Sequence, residues 1–143
     1  MDKTPIHTVM SASPHVIATT ATLVDAAKLM QQHDCGALPV VADSKKPVGM
    51  LTDRDIVVYG IAAGLDIHTT TVDEIMSEDV ITCDEHDTLS LAADVMSEHD
   101  VHRLVVINKA GDIVGILSSS DMIKCVDSDK VNDDVLHHLF RYA

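Results

Sequence analysis

Two short stretches hold the residues most capable of chemistry. The first is Gly49-Met50-Leu51-Thr52-Asp53-Arg54-Asp55-Ile56. The second, 66 residues further on, is Gly115-Ile116-Leu117-Ser118-Ser119-Ser120-Asp121-Met122. Each runs glycine, two apolar residues, a hydroxyl residue, two polar residues, an aspartate and an apolar residue. The apolar run suits a buried strand. The hydroxyl residue suits a helix N-cap, whose side-chain oxygen accepts from an otherwise unpaired N–H. A strand that feeds a helix N-terminus in this way predicts free backbone N–H groups for an anion, and Asp55 or Asp121 can accept bonds from sugar hydroxyls. The plainer reading needs no ligand: Thr52 and Ser118 cap their helices, and an acid in the first turn stabilises a helix by about 0.3–1 kcal/mol.

An anion also calls for a cation. At the same 66-residue offset, His102-Arg103 falls on Gly36-Ala37, so only the second copy carries a cationic pair there. Arginine suits a phosphate because its planar guanidinium donates two parallel bonds. The chain's net charge of −13 repels a nucleotide, which makes a local cation count for more. Arg54, between Asp53 and Asp55, is the other candidate, and an exposed ion pair explains it equally well. Nine histidines invite a metal reading. Against it, His137 and His138 are adjacent and point to different helix faces, and no H-x-x-x-H occurs. No nucleophile stands beside a base and no recognised catalytic motif is present, so the expectation is a protein that is not an enzyme.

The elements that must position these residues repeat with them. At the same offset Met10-Ser11 falls on Met76-Ser77, Thr22-Leu23 on Thr88-Leu89, and Ala26-Ala27 on Ala92-Ala93. Met30 falls on Met96, His33-Asp34 on His99-Asp100, Leu38 on Leu104 and Val40 on Val106. With only two copies at a long period, this reads as a duplicated supersecondary unit rather than a solenoid. After a polar lead over residues 1–8, Val16–Ala18 is a strand. Thr22 caps a helix with an apolar face of Leu23, Ala26, Ala27 and Met30, ending near Asp34 with Gly36 just beyond. Ala37–Ala42 is a strand whose Pro39 predicts an edge or a strand end. Val48–Leu51 is a strand, and Asp53 to about Ala63 a helix. The second copy follows: a strand at Val80–Cys83, a helix capped by Thr88, strands at Arg103–Ile107 and Ile113–Leu117, and a helix from Ser119 to about Val126. A final amphipathic helix carries Val131, Val135, Leu139 and Phe140. Each unit is β-α-β-β-α. One such half cannot bury both sheet faces, whereas two packed through their sheets can.

These residues resemble a tandem pair of CBS domains, a Bateman module. The likeness rests on the two G-h-h-[ST]-x-x-D corners, on Asp34-Cys35-Gly36-Ala37-Leu38-Pro39-Val40-Val41, and on Val101-His102-Arg103-Leu104-Val105-Val106. It covers about residues 9–126 and is strongest toward small stand-alone bacterial CBS-pair proteins. The resemblance implies an α+β fold of two repeats, 9–68 and 69–128, with pseudo-twofold symmetry, followed by a C-terminal helix over 129–143. It implies a regulatory or sensory module that binds an adenine nucleotide (AMP, ADP or ATP type) in clefts between the repeats, as a homodimer. Carried over by position, Asp55 and Asp121 would take the ribose hydroxyls, and Thr52 and Ser118 would lie beside phosphate or ribose. Val16-Ile17-Ala18 and Val80-Ile81-Thr82 would border the base, with Ala37-Leu38-Pro39 and Arg103-Leu104-Val105 as its other wall. The alternative is a structural adaptor with empty or degenerate clefts, acting through a helical face.

Composition bounds the remainder. An apolar content of 46% with 2% aromatics predicts an aliphatic core. The acidic balance excludes a nucleic-acid partner and an anionic membrane surface. No apolar run approaches the ~20 residues of a membrane span, and no apolar signal core follows Met1, so the expectation is a soluble cytoplasmic protein. Cys35, Cys83 and Cys125 lack paired spacing, which argues against a disulfide framework or zinc knuckle; Cys35 and Cys83 read as core residues in strands. No resident cofactor is expected beyond the regulatory nucleotide.

Overall fold

In the computed structural model, residues 3–125 are described; the expected helix through Val131 and Phe140 lies outside them. Two packed units divide the chain. One comprises Pro14–Val80. The other joins the N-terminal residues up to Ser13 with those from Ile81 onward. The packed units are thus divided at other points of the chain than the expected repeats, 9–68 and 69–128.

The first unit contains β2 (Ile17–Ala18), α1 (Leu23–His33), β3 (Ala37–Val41), β4 (Pro47–Thr52) and α2 (Asp53–Asp55), following a short β1 (Ser11–Ala12) that belongs to the other unit. Its sheet runs β2-β3-β4, parallel then antiparallel. Thr22 opens α1 with a capping box to Asp25, and Asp34 closes it in the left-handed conformation, φ 50°. The C-terminal turn is thus made by Asp34 rather than Gly36. The apolar face is Leu23, Ala26 and Met30; Ala27 is exposed. Past α2 the chain widens into a π-helix over Ile56–Ile61, with the Ala62 N–H donating to the Val57 carbonyl at 2.8 Å.

Pro39 sits in the central strand, not at an edge as expected. The second unit explains how. There the Val105 N–H, at the position equivalent to Pro39, donates to the Ile81 carbonyl at 3.0 Å. Proline has no such donor. The first sheet tolerates it by starting β2 late: Ile17↔Val40 and Ala18↔Val41 pair, while the second sheet has one pair more, Thr82↔Val105.

The second unit contains β5 (Thr82–Asp84), α3 (Leu89–His99), β6 (Arg103–Ile107), β7 (Ile113–Ser118) and α4 (Ser119–Lys124), in a sheet ordered β1-β7-β6-β5. Its core holds Ile6, Cys83, Ala92, Met96, Leu104, Val106, Leu117 and Met122, among others. The first unit's core holds Val72, Ile17, Ala26, Met30, Leu38, Val40, Leu51 and Ile56, one for one at the 66-residue offset. Ile6 and Val72 are both fully buried. The N-terminal lead is therefore not merely polar. Its turn at Ile6–Thr8 fills the second unit, as the turn at Val72–Glu74 fills the first.

The glycine that opens each corner motif serves this packing. Met50 and Ser77 exchange backbone bonds at 2.9 and 3.0 Å, while β1 pairs with β7. A Cβ on Gly49 would lie 2.9 Å from the Ser77 carbonyl, and one on Gly115 3.0 Å from that of Ser11, with Met76 and Met10 sulfurs closer still. Met10 and Met76 are the residues whose side chains press on these glycines.

Candidate functional site

Both corners form around the hydroxyl–aspartate pair. The Asp55 N–H donates to Thr52 Oγ1 at 3.1 Å, and the Thr52 N–H to Asp55 Oδ2 at 2.9 Å. The Asp121 N–H donates to Ser118 Oγ at 3.1 Å, and the Ser118 N–H to Asp121 Oδ2 at 3.0 Å. These are reciprocal capping boxes, which satisfy two otherwise orphaned donors each. Each box uses one carboxylate oxygen. Among the described residues Oδ1 of either aspartate accepts no hydrogen bond.

The expected supply of free N–H groups is corrected. In the first corner the Asp53 N–H donates to the Gly36 carbonyl at 3.0 Å and the Arg54 N–H to Asp53 Oδ1 at 2.8 Å, so with Asp55 capped all three are used. In the second corner the Ser119 N–H donates to the His102 carbonyl at 2.8 Å. The Ser120 N–H is left without a hydrogen bond among the described residues, and Ser120 Oγ pairs with Ser118 Oγ at 2.9 Å. The carbonyl that takes the first N–H comes from the residue just before a strand far upstream, which local spacing does not reveal.

Strand alternation sorts the remaining candidates. Leu38 and Leu104 point into the aliphatic cores and are fully buried, and Ile17 joins them. Ala37, Pro39 and Val105 are buried on the opposite face of their strands. Val16, Ala18 and Thr82 are exposed, while Val80 and Ile81 are half-buried. His102 and Arg103 are exposed. Arg103 stands directly across the β6–β7 ladder from Ser118, the cap of the second corner, where Ala37 stands across from Thr52 in the first. Arg54 is exposed and makes no ion pair among the described residues.

Gly36 has a role that spacing did not disclose: a Cβ there would meet Asp53 Oδ2 at 3.0 Å. Two histidine pairs were equally hidden. The His15 and His33 rings stack at 3.4 Å and 14°, and His7 meets His86 edge-on at 5.4 Å. Among the described residues no three His, Cys, Asp or Glu side chains gather where one metal ion would sit. Cys83 is buried in β5, and its desolvation, with Asp87 and Asp84 adding, pushes the thiol up to about 12. Cys35 is half-buried just before β3 rather than in a strand core, and burial raises its thiol too.

Two matches to the CBS domain, over residues 6–61 and 72–128, cover most of the sequence. The chain belongs to the CBS domain family. This tandem CBS pair is 39% identical over 116 residues to Hypoxic response protein 1 of Mycobacterium tuberculosis, covering 81% of this chain and 80% of that one. A crystal structure of Hypoxic Response Protein I, with two coordinated zinc ions, superposes with a TM-score of 0.76 at 38% identity, covering 85% of this chain and 98% of the other. The CBS pair of protein MJ0100, in complex with 5′-methylthioadenosine and S-adenosyl-L-methionine, superposes with a TM-score of 0.79 at 27% identity, covering 88% and 98%. The mixed α+β fold of the CBS pair follows. Among the described residues no helix is long and apolar enough to cross a membrane.

Proposed function

We propose that this CBS pair is a regulatory module, not an enzyme, and that its ligand is an adenosine nucleotide of the AMP, ADP or ATP type. The ribose hydroxyls donate to the corner aspartates, and the phosphate takes the second corner in preference to the first. One observation carries this reading. Arg103 faces Ser118 across the ladder, beside an aspartate that has one carboxylate oxygen outside its capping box. The first corner has Ala37 in that place and a second acid, Asp53. The adenosine ligands held by the MJ0100 pair support the ligand class.

Calorimetry with AMP and adenosine tests it. A charged hydrogen bond is worth roughly 1.5–3 kcal/mol, so Arg103→Ala should weaken AMP about tenfold or more while leaving adenosine nearly unchanged. Asp121→Asn should weaken both. Equal losses for the two ligands in Arg103→Ala would show that Arg103 does not hold the phosphate.

A second reading, a structural adaptor, is favoured by Val57, Tyr59 and Ile61, which are 55%, 57% and 58% exposed on the π-helical segment. That apolar surface also supports a homodimer, which light scattering at micromolar concentration measures. A thermal-shift panel of AMP, ADP, ATP and S-adenosylmethionine separates the two functions, because a ligand that binds only the native state raises the melting temperature. No shift at millimolar concentration would favour the adaptor.

A further inference from the structure

The N-terminal segment Thr4–Ala12 is an arm. It is bonded at both ends to the second unit yet continues directly into the first. The Ile6 N–H donates to the Asp87 carbonyl at 2.8 Å, the His7 N–H to that of Glu85 at 3.0 Å, and the Leu89 N–H to that of Thr4 at 2.9 Å. Ser11 and Ala12 pair with Ile116 and Gly115. Ile6 is fully buried in that unit's core. The partners of the arm are thus backbone groups, the apolar seat that takes Ile6, Val9 and Met10, and the His86 ring beside His7, all of which every copy of the chain offers identically.

The hinge of this arm is under strain. Ser13, the last residue of the arm's unit, has φ 51°, and Pro14 begins the other unit. A left-handed residue with a Cβ is disfavoured by roughly 1–2 kcal/mol. The residue before a proline is in addition pushed toward extended backbone. Among the described residues the other two non-glycine residues at positive φ, Asp34 and Asp100, each close a helix; Ser13 has no such role. An arm on a short strained hinge gains by letting the hinge extend, and in a second copy it finds the same seat.

We infer that the chain exchanges its N-terminal arm between copies: Thr4–Ala12 of one molecule seats Ile6 and β1 on the second unit of another, reciprocally, while Ser13–Pro14 straightens. The exchange is independent of any ligand.

The register supplies the test. Ser11 and Ile116 are directly opposed in an antiparallel pair, where Cα atoms lie about 4.5–5.5 Å apart, within disulfide reach. A chain bearing Ser11→Cys is co-refolded with an isotopically labelled chain bearing Ile116→Cys, oxidised, and digested for mass spectrometry. Neither chain alone can form the 11–116 bridge. Arm exchange is expected to yield that bridge between a light and a heavy peptide. Adding Ser13→Gly to one of the two chains, which removes the strain at one of the two hinges, should lower the mixed yield by roughly five- to thirtyfold. A chain carrying both cysteine substitutions shows whether the pair can close at all. If that chain closes within itself and the mixture forms no 11–116 bridge, the arm stays at home and the inference fails. A mixed yield unchanged by Ser13→Gly would overturn the role given to the hinge.

Discussion

In the first copy Gly36 lies under the Asp53 carboxylate; in the second, the same two positions hold His102 and Ser119. Bulk and charge have moved from the helix start to the strand. The first copy puts an extra acid in the corner and uses all three first-turn N–H groups internally. The second puts cations on the strand and leaves the Ser120 N–H open among the described residues. Around this exchange the cores are interchangeable: eight buried positions correspond pairwise at one offset. Duplicated packing with diverged corners is what one expects when stability constrains both halves alike and a ligand's phosphate needs only one cationic strand. A smaller difference follows the same line. Asp25 completes a capping box on α1, and the Thr22 backbone N–H holds its carboxyl below the usual range. Leu91 takes its place on α3, where the Thr88 hydroxyl caps alone.

The equivalence of the cores breaks most clearly at Ile6. Truncating a fully buried isoleucine costs about 2–5 kcal/mol. Ile6→Ala should therefore accelerate hydrogen exchange across β5, β6 and β7 while leaving β2, β3 and β4 slow, although residue 6 falls in the first of the two CBS matches. Slow exchange retained in β5–β7, or loss confined to the strands next in sequence, would contradict the exchanged packing. Next come the paired glycines. Gly49→Ala and Gly115→Ala each drive a methyl toward a backbone carbonyl at 2.9 or 3.0 Å. Overpacking of this kind costs about 1–3 kcal/mol, and the two losses should agree in denaturant titrations. Unequal losses would show that the two seats have diverged.

The third test sharpens the contrast between Cys83 and Ile17, which hold equivalent core positions. Unfolding returns the Cys83 thiol from about 12 to its ordinary 9.0. Where the pH exceeds 9 the unfolded chain sheds that proton and the folded chain keeps it. The stabilisation is complete below about pH 9 and is lost as pH rises toward 12, by at most ~1.4 kcal/mol per unit. Denaturation curves from pH 8 to 10.5 should fall more steeply for the native chain than for Cys83→Ala. Parallel curves would mean that Cys83 titrates normally.

The repeat, the β-α-β-β-α order, the caps at Thr22, Thr52, Thr88 and Ser118, and the aliphatic core were all legible in the sequence. They depend on local periodicity and on hydrogen bonds spanning three residues, which adjacent letters record. The difference between His102-Arg103 and Gly36-Ala37 was legible too, because a duplication supplies its own comparison. The tertiary structure decided the rest. It tied the first N–H of each corner to the carbonyl just before an upstream strand, so that among the described residues only the Ser120 N–H of the two first turns stays open. It placed Pro39 in a central strand by shortening β2, and turned the motif glycines into seats for Met76-Ser77 and Met10-Ser11. It carried Ile6 into the second unit. Each of these is set by which segments approach across the sheet. A residue's own neighbours in the chain contain no record of that approach, since the close contact forms only when distant backbone is brought within hydrogen-bonding distance.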